Sequence, residues 1–282
     1  EGRHWAQHRL AFEELLTHQL SLQRLREQVR AQQAPALPPA QKLPQQYLAN
    51  LGFAPTGAQQ RVGAEIAYDL AQSEPMLRLV QGDVGAGKTV VAALAALQAL
   101  EAGYQVALMA PTEILAEQHH ANLTRLFAPL GIEVALLVGK QTPTEKKKAA
   151  QRTASGEIHM AVGTHALIQE GVDFAKLGLV VIDEQHRFGV LQRAALRDKG
   201  AGNPDVLVMT ATPIPRTLTM TLYGDLDLST LSTMPSGREP VTTEVLARDS
   251  ADLFDRLNRA ELVVGVHHRH QSGVRSNGAL DV

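Results

Sequence analysis

The stretch MLRLVQGDVGAGKTVV, residues 76–91, constrains this chain more than any other. An apolar run with Leu77, Leu79 and Val80 leads into Gly82-Asp83-Val84-Gly85-Ala86-Gly87-Lys88-Thr89, and an alanine- and leucine-rich segment follows. The order is strand, glycine loop, helix, at the G-x-x-x-x-G-K-[ST] spacing of a phosphate-binding loop. Glycines let backbone N–H groups close around phosphates with no Cβ in the way. The helix opening near Gly87 offers its unpaired N–H groups and positive dipole end to an anion. Lys88 is expected to reach the β- and γ-phosphates, and the Thr89 hydroxyl to ligate Mg²⁺. A glycine turn that merely precedes a helix is the bland alternative, but the bare pattern arises by chance in fewer than about 1 in 100 chains of this size.

Composition leaves room for such a fold. Of 282 residues, 44% are hydrophobic and 20% charged, the balance of a globular chain with a sizeable core. No apolar run reaches the ~18 residues of a membrane span. The first residues, EGRHWAQHRL, carry no signal-peptide pattern, so a cytoplasmic setting is expected. Without cysteine there are no disulfides and no thiolate metal sites. A net charge of -2 excludes a uniformly basic nucleic-acid coat, so any DNA contact comes from a local groove.

Along the chain, Leu15, Leu22 and Val29 recur at seven, with Phe12, Leu16 and Leu25 widening the stripe, which predicts one amphipathic helix over 5–30. Such a helix needs a partner surface. The proline-rich segment QQAPALPPAQKLP, residues 32–44, reads as an extended connector. The domain division expected is therefore 1–33 helix, 34–47 linker, 48–258 globular domain and 259–282 tail. Within the globular part, residues 51–59 read as a loop and 60–70 as a helix. Helices follow at 88–102 and 112–127, and strands at 105–110, 133–138, 158–162, 177–182 and 205–209. Thr142-Pro143-Thr144-Glu145 has the form of a capping box opening a basic helix with Lys146, Lys147 and Lys148. Short apolar strands alternating with helices predict a mostly parallel sheet covered on both faces, with ligands beyond the carboxyl ends of the strands.

Further motifs fall at those ends. Leu179-Val180-Val181-Ile182-Asp183-Glu184 is an apolar strand ending in two acids. Beside a phosphate loop the first acid is expected to hold Mg²⁺ and the second to orient or deprotonate the attacking water. Acids after a buried strand also simply solvate a loop; the pairing with residues 82–89 favours the metal role. Thr210 and Thr212, in Val208-Met209-Thr210-Ala211-Thr212-Pro213, can bond across to neighbouring carboxylate or histidine groups. Thr112 and Thr164 stand at strand-to-helix junctions, where threonine suits a backbone phosphate; from chemistry alone ordinary capping is the favoured reading.

Together, GDVGAGKT, APTEILAEQHH, VGTHALIQEGV, LVVIDEQHRFGV and MTATPIPRTLTMTLYGDLDLSTL resemble the superfamily 2 DNA helicases and translocases, and within them the RecG family of fork-remodelling helicases. The N-terminal RLAFEELLTHQLSLQ resembles the segment joining that family's wedge domain to its motor. The Mfd translocases share HRFGV and TATPIPRT but typically carry D-E-E-H where this chain has Asp183-Glu184-Gln185-His186. The resemblance implies an α/β fold, a P-loop RecA-like three-layer sandwich with a mostly parallel sheet, preceded by the long helix. It implies ATP and Mg²⁺ as cofactors, held by Gly82, Asp83, Val84, Gly85, Ala86, Gly87, Lys88 and Thr89, with Asp183 on the metal and Glu184 as hydrolytic base. Gln59 matches the adenine-reading glutamine; Pro55 departs from the family's usual leucine nearby. Gln185 and His186 would link the nucleotide to Thr210 and Thr212, while Thr112, Thr164 and Arg187 would meet DNA.

The function expected is that of the ATP-binding lobe of a RecG-type helicase acting on branched DNA in recombination and repair, monomeric and without membrane contact. The second RecA-like lobe and the wedge domain are not recognisable in the sequence, so weak ATP hydrolysis by the chain alone is expected. A P-loop kinase would need a substrate lid with arginines, which is not evident; an Mfd-like translocase or a non-catalytic ATP-binding module are the alternatives. Residues 262–282, LVVGVHHRHQSGVRSNGALDV, lack periodicity and read as a disordered or aberrant tail.

Overall fold

Apolar runs of four to seven residues punctuated by glycine and proline become strands buried on both faces, and this is what the computed structural model contains. It describes residues 4–30, 32–169, 171–183, 203–212 and 226–234. The strands are β1 (Leu77–Gly82), β2 (Gln105–Met109), β3 (Val134–Leu137), β4 (Met160–Gly163), β5 (Leu177–Asp183), β6 (Asp205–Thr210) and β7 (Asp227–Leu231). They form one sheet in the order β3-β4-β2-β5-β6-β1-β7, with every described pairing parallel. All seven carboxyl ends therefore share one edge.

The pleat sends alternate residues to opposite faces. Val80, Val106, Leu108, Val181, Leu207 and Met209 join one core. Leu79, Ala107, Met109, Val180, Ile182 and Val208 join the other. On the first face lie α2 (Lys42–Asn50), α3 (Gly57–Leu70), α4 (Lys88–Glu101) and α5 (Glu113–Phe127), which bury Tyr47, Ile66, Leu97 and Phe127. The second face is covered by α6 (Pro143–Ala154) through Ala150 and by the segment carrying Leu167, Val172 and Phe174. The capping box at Thr142 is present in full, with Glu145 closing it.

Three expectations are corrected. The 34–47 segment is not a bare connector. Leu37 is fully buried, its N–H donates to the Leu70 carbonyl (2.7 Å), and the buried Gln98 amide donates to the Leu37 (2.8 Å) and Ala67 (3.1 Å) carbonyls. Proline fixes φ and removes donors, but it does not stop an intervening leucine from burying. The segment then enters α2, where Pro44 sits in the first turn and its missing N–H costs nothing. The Glu101 carboxylate, at the end of α4, accepts the N–H groups of Gln41, Lys42 and Leu43 at 2.7–3.2 Å. Second, α3 begins at Gly57, not at residue 60, because Thr56 and Gln59 form a capping box. Third, β7 adds a strand that the apolar pattern does not announce: it is an edge strand whose exposed position, Thr230, is polar.

The long helix α1 (Trp5–Arg30) forms where its periodicity puts it. Trp5, Leu10, Phe12, Leu15, Leu16 and Leu20 remain 46–70% exposed, so this stripe is not what builds the sheet domain. Among the described residues no helix is long and apolar enough to cross a membrane. The 259–282 tail lies outside the described residues.

Candidate nucleotide site

Strand β1 stops at Gly82, and the chain turns through Asp83, Val84, Gly85 and Ala86 before α4 starts at Lys88. Gly85 (φ 81) and Gly87 (φ 85) hold the left-handed conformation that the turn demands. The loop is closed by its own groups. Ala86 N–H donates to the Asp83 carbonyl (3.1 Å), and the Asp83 carboxylate accepts Val84 N–H (2.7 Å). Lys88 Nζ donates to the Gly82 (2.7 Å) and Asp83 (3.1 Å) carbonyls. Its ammonium thus lies inside the loop. Thr89, half-buried, occupies the first turn of α4.

Gln59 is 1% exposed and sits on this loop. Its Oε1 accepts Thr56 N–H (2.9 Å) and its Nε2 donates to the Ala86 carbonyl (2.9 Å). A Cβ at position 87 would collide with that Nε2, so Gly87 is required twice, by its φ and by the seat of Gln59. The amide assigned to adenine by resemblance is here committed to the phosphate loop.

At the same edge β5 ends in Asp183 and β6 in Thr210. The register pairs Val80 with Met209 and Met209 with Asp183, so the ends of β1 and β5 stand two strand spacings apart, roughly 10 Å. The loop of Lys88 and the carboxylate of Asp183 therefore face one edge, with β6 between them. A cleft of about 340 Å³ lies beside the loop, lined by Gln81, Gly82, Asp83, Ala211, Thr230 and Leu231. Thr210 is buried, and its Oγ1 accepts the N–H of Thr212 (3.2 Å). Glu184, Gln185, His186 and Arg187 lie outside the described residues.

The two threonines expected at DNA lie at the ends of β2 and β4, on adjoining strands. The Thr112 hydroxyl accepts Leu115 N–H (3.3 Å) and so caps α5. Thr164 is 2% exposed, and its Oγ1 has no partner among the described residues. Thr112 thus caps its helix, whereas the Thr164 side chain makes no cap bond to the short helix that follows it.

One residue that sequence reasoning passed over joins the site. His119 Nε2 lies 2.7 Å from Asp183 Oδ2, the two side chains being 14% and 13% exposed. Its signal was inside the quoted APTEILAEQHH: position 119 is seven residues, two helical turns, beyond the Thr112 cap and so on the same side of α5.

The residues fit a magnesium nucleotide. Two left-handed glycines, a helix opening and a lysine whose acceptors are the loop's own carbonyls make a cradle for a phosphate chain. The Thr89 hydroxyl and the Asp183 carboxylate are hard oxygen donors of the kind Mg²⁺ takes. Among the described residues no group of three or more His, Asp or Glu could hold a metal by itself.

The sequence profile of the DEAD/DEAH box helicases matches residues 56–221, more than half of the chain. The chain is 53% identical over 271 residues to the ATP-dependent DNA helicase RecG of Acidithiobacillus ferridurans, covering 96% of this chain and 38% of that protein. It is 54% identical over 268 residues to RecG of Escherichia coli (strain K12), covering 94% and 39%. A solved structure of RecG bound to a three-way DNA junction superposes with a TM-score of 0.75 at 44% identity, over 90% of this chain and 33% of that one. The chain thus spans about two fifths of the length of the curated relatives it matches. With its phosphate loop, its strand-end aspartate and its all-parallel sheet, the chain belongs to the DEAD/DEAH box helicase family and is similar over nearly all its length to part of RecG.

Proposed function

We propose that this chain is the ATP-binding motor lobe of a RecG-type DNA helicase that works on branched DNA, the lobe being residues 48–258 with the 34–47 segment stitched to it. The observation that carries the reading is the shared edge of Lys88 and Asp183, with the loop's glycines at positive φ. Bound Mg·ATP supplies a polarised γ-phosphate for attack by water. Lys88 would turn from the Gly82 and Asp83 carbonyls to neutralise phosphate charge, and Thr89 and Asp183 would hold the metal. Glu184 orients the water and takes its proton. Gln185 and His186 would link the nucleotide to Thr210 and Thr212 and so pass its state to the DNA-facing side. There Thr112 and Arg187 meet phosphates, and the acting partner is DNA with the second lobe and wedge domain of the RecG architecture.

Lys88→Ala should weaken binding of a fluorescent ATP derivative about 100-fold, the scale of one or two charge-assisted hydrogen bonds at about 1.5–3 kcal/mol each. Fluorescence titration with Mg²⁺ present, on chain whose thermal melt is unchanged, measures it. Equal affinity in variant and parent would overturn the proposal. Binding of a forked duplex whose affinity falls steeply with salt is the companion expectation, since phosphate contacts release counterions.

A further inference from the structure

Asp183 is held by a residue from outside its own strand, and the chemistry of the contact has a direction. A carboxylate that ligates a metal is ionised and can only accept, so Nε2 of His119 carries the hydrogen and donates to Oδ2. The contact engages Oδ2 and not Oδ1. Both side chains are largely screened from water, where a hydrogen bond to a charged group holds its geometry well. The histidine is itself fixed. It lies on the inner side of α5, whose Ala116, Leu123 and Phe127 are fully buried. The neighbouring His120 bonds through Nε2 to the Val134 carbonyl (3.0 Å), which sets the rotation of the helix.

We infer that His119 is a positioning residue: it orients the Asp183 carboxylate for the metal and thereby ties that carboxylate to α5, the helix that begins at Thr112. This rests on the reading of residues 82–89 and Asp183 as a magnesium nucleotide site. The donor behind a metal ligand fixes the ligand's rotamer, and losing such a partner costs about 10- to 100-fold in metal affinity or activity. The His119–Asp183 pair places the imidazole behind the carboxylate in that role.

The test separates metal from nucleotide. His119→Phe keeps a ring in the same space and deletes the donor; His119→Gln returns an amide N–H near the position of Nε2. Binding of a fluorescent ATP derivative is titrated at increasing Mg²⁺ and again in chelator, for the parent chain, both variants and Asp183→Asn. Binding of Mn²⁺ is followed independently by its electron spin resonance in the presence of the nucleotide. The expected result is a half-saturating metal concentration about tenfold higher in His119→Phe, metal-free affinity within twofold of the parent, and restoration by His119→Gln to within about threefold. An unchanged metal requirement in His119→Phe, while Asp183→Asn raises it, overturns the positioning role and leaves the nucleotide site standing. Loss of metal-free affinity together with metal affinity, or no rescue by glutamine, also overturns it, since packing alone would do that. If Asp183→Asn leaves the metal requirement untouched, the site reading and the inference fall together.

Discussion

Fused to the second motor lobe of a RecG relative, this chain should hydrolyse ATP at least about 10³-fold faster than it does alone. The loose transition state of phosphoryl transfer spreads charge over the equatorial oxygens, and on the proposed reading Lys88 with the metal would meet it from one side of the cleft only. An arginine from across the cleft is worth about 10³- to 10⁵-fold in other P-loop enzymes. Among the described residues the arginines of the sheet domain are committed to the fold. Arg61 donates to the Thr230 carbonyl (3.0 Å), and Arg78 is paired with Asp69 (2.6 Å) and donates to Ser229 (2.7 Å). Arg152 lies between Glu133 and Glu157, and Arg125 bonds Asn122. Arg61, Arg78 and Arg152 could reach a γ-phosphate only by breaking packing that joins α3, β1 and β7 or pins α6, while Arg125 is bonded within its own helix α5. Single-turnover hydrolysis of radiolabelled ATP, with and without forked DNA, gives the comparison. Vigorous DNA-stimulated turnover by the unfused chain would show that the missing charge is already present.

What the sequence could not say follows from where the information lies. Six of the seven strands were legible because each is a short apolar run between turn residues, and the loop at 82–89 because its glycines have one backbone purpose. The seventh, β7 (DLSTL), has only Leu228 and Leu231 as apolar residues, three positions apart and on opposite faces, and only its pairing with β1 makes it a strand. The stitching of residues 34–47 depends on Gln98 and Glu101, which lie some 60 positions away and look on paper like any polar residue of a helix. The site shows the same division. Local spacing singled out Lys88, Thr89 and Asp183 as candidates. The second duty of Gln59, on Ala86, and the bond from His119 to Asp183 join positions 27 and 64 residues apart, and no window of sequence contains both partners.

Asp205→Asn should stabilise the chain above pH 8 by about 2–4 kcal/mol and flatten its stability between pH 4 and pH 8. Asp205 opens β6 at 1% exposure. Its Oδ1 accepts Met76 N–H (2.6 Å) while Val206 N–H donates to the Met76 carbonyl (2.8 Å), a bracket that sets the register of β1 on β6. Among the described residues its Oδ2 has no hydrogen-bond partner. Burial pushes this carboxyl up from 3.8 to about 8; the Met76 N–H opposes the rise and the charge of Asp69 adds to it. The sign follows from linkage. The unfolded chain gives up this proton near pH 4, the folded chain keeps it to about pH 8, so the contribution is whole below pH 4, lost progressively to pH 8 and constant beyond. A rise of that size corresponds to a loss on the order of 5 kcal/mol. Asparagine keeps an acceptor for Met76 and never ionises. Its extra buried N–H costs about 1–3 kcal/mol, which leaves the net gain stated. At pH 4, where Asp205 is itself neutral, the gain vanishes and the unpaired amide leaves the variant about 1–3 kcal/mol weaker than the parent. Urea unfolding at pH 5, 7 and 9 on both proteins decides it: stability profiles that run parallel with pH would mean Asp205 is charged in the folded chain, and a different group would then have to answer for the orphaned oxygen. Asp205→Ala serves as the contrast, since it removes the acceptor for Met76 and should destabilise at every pH.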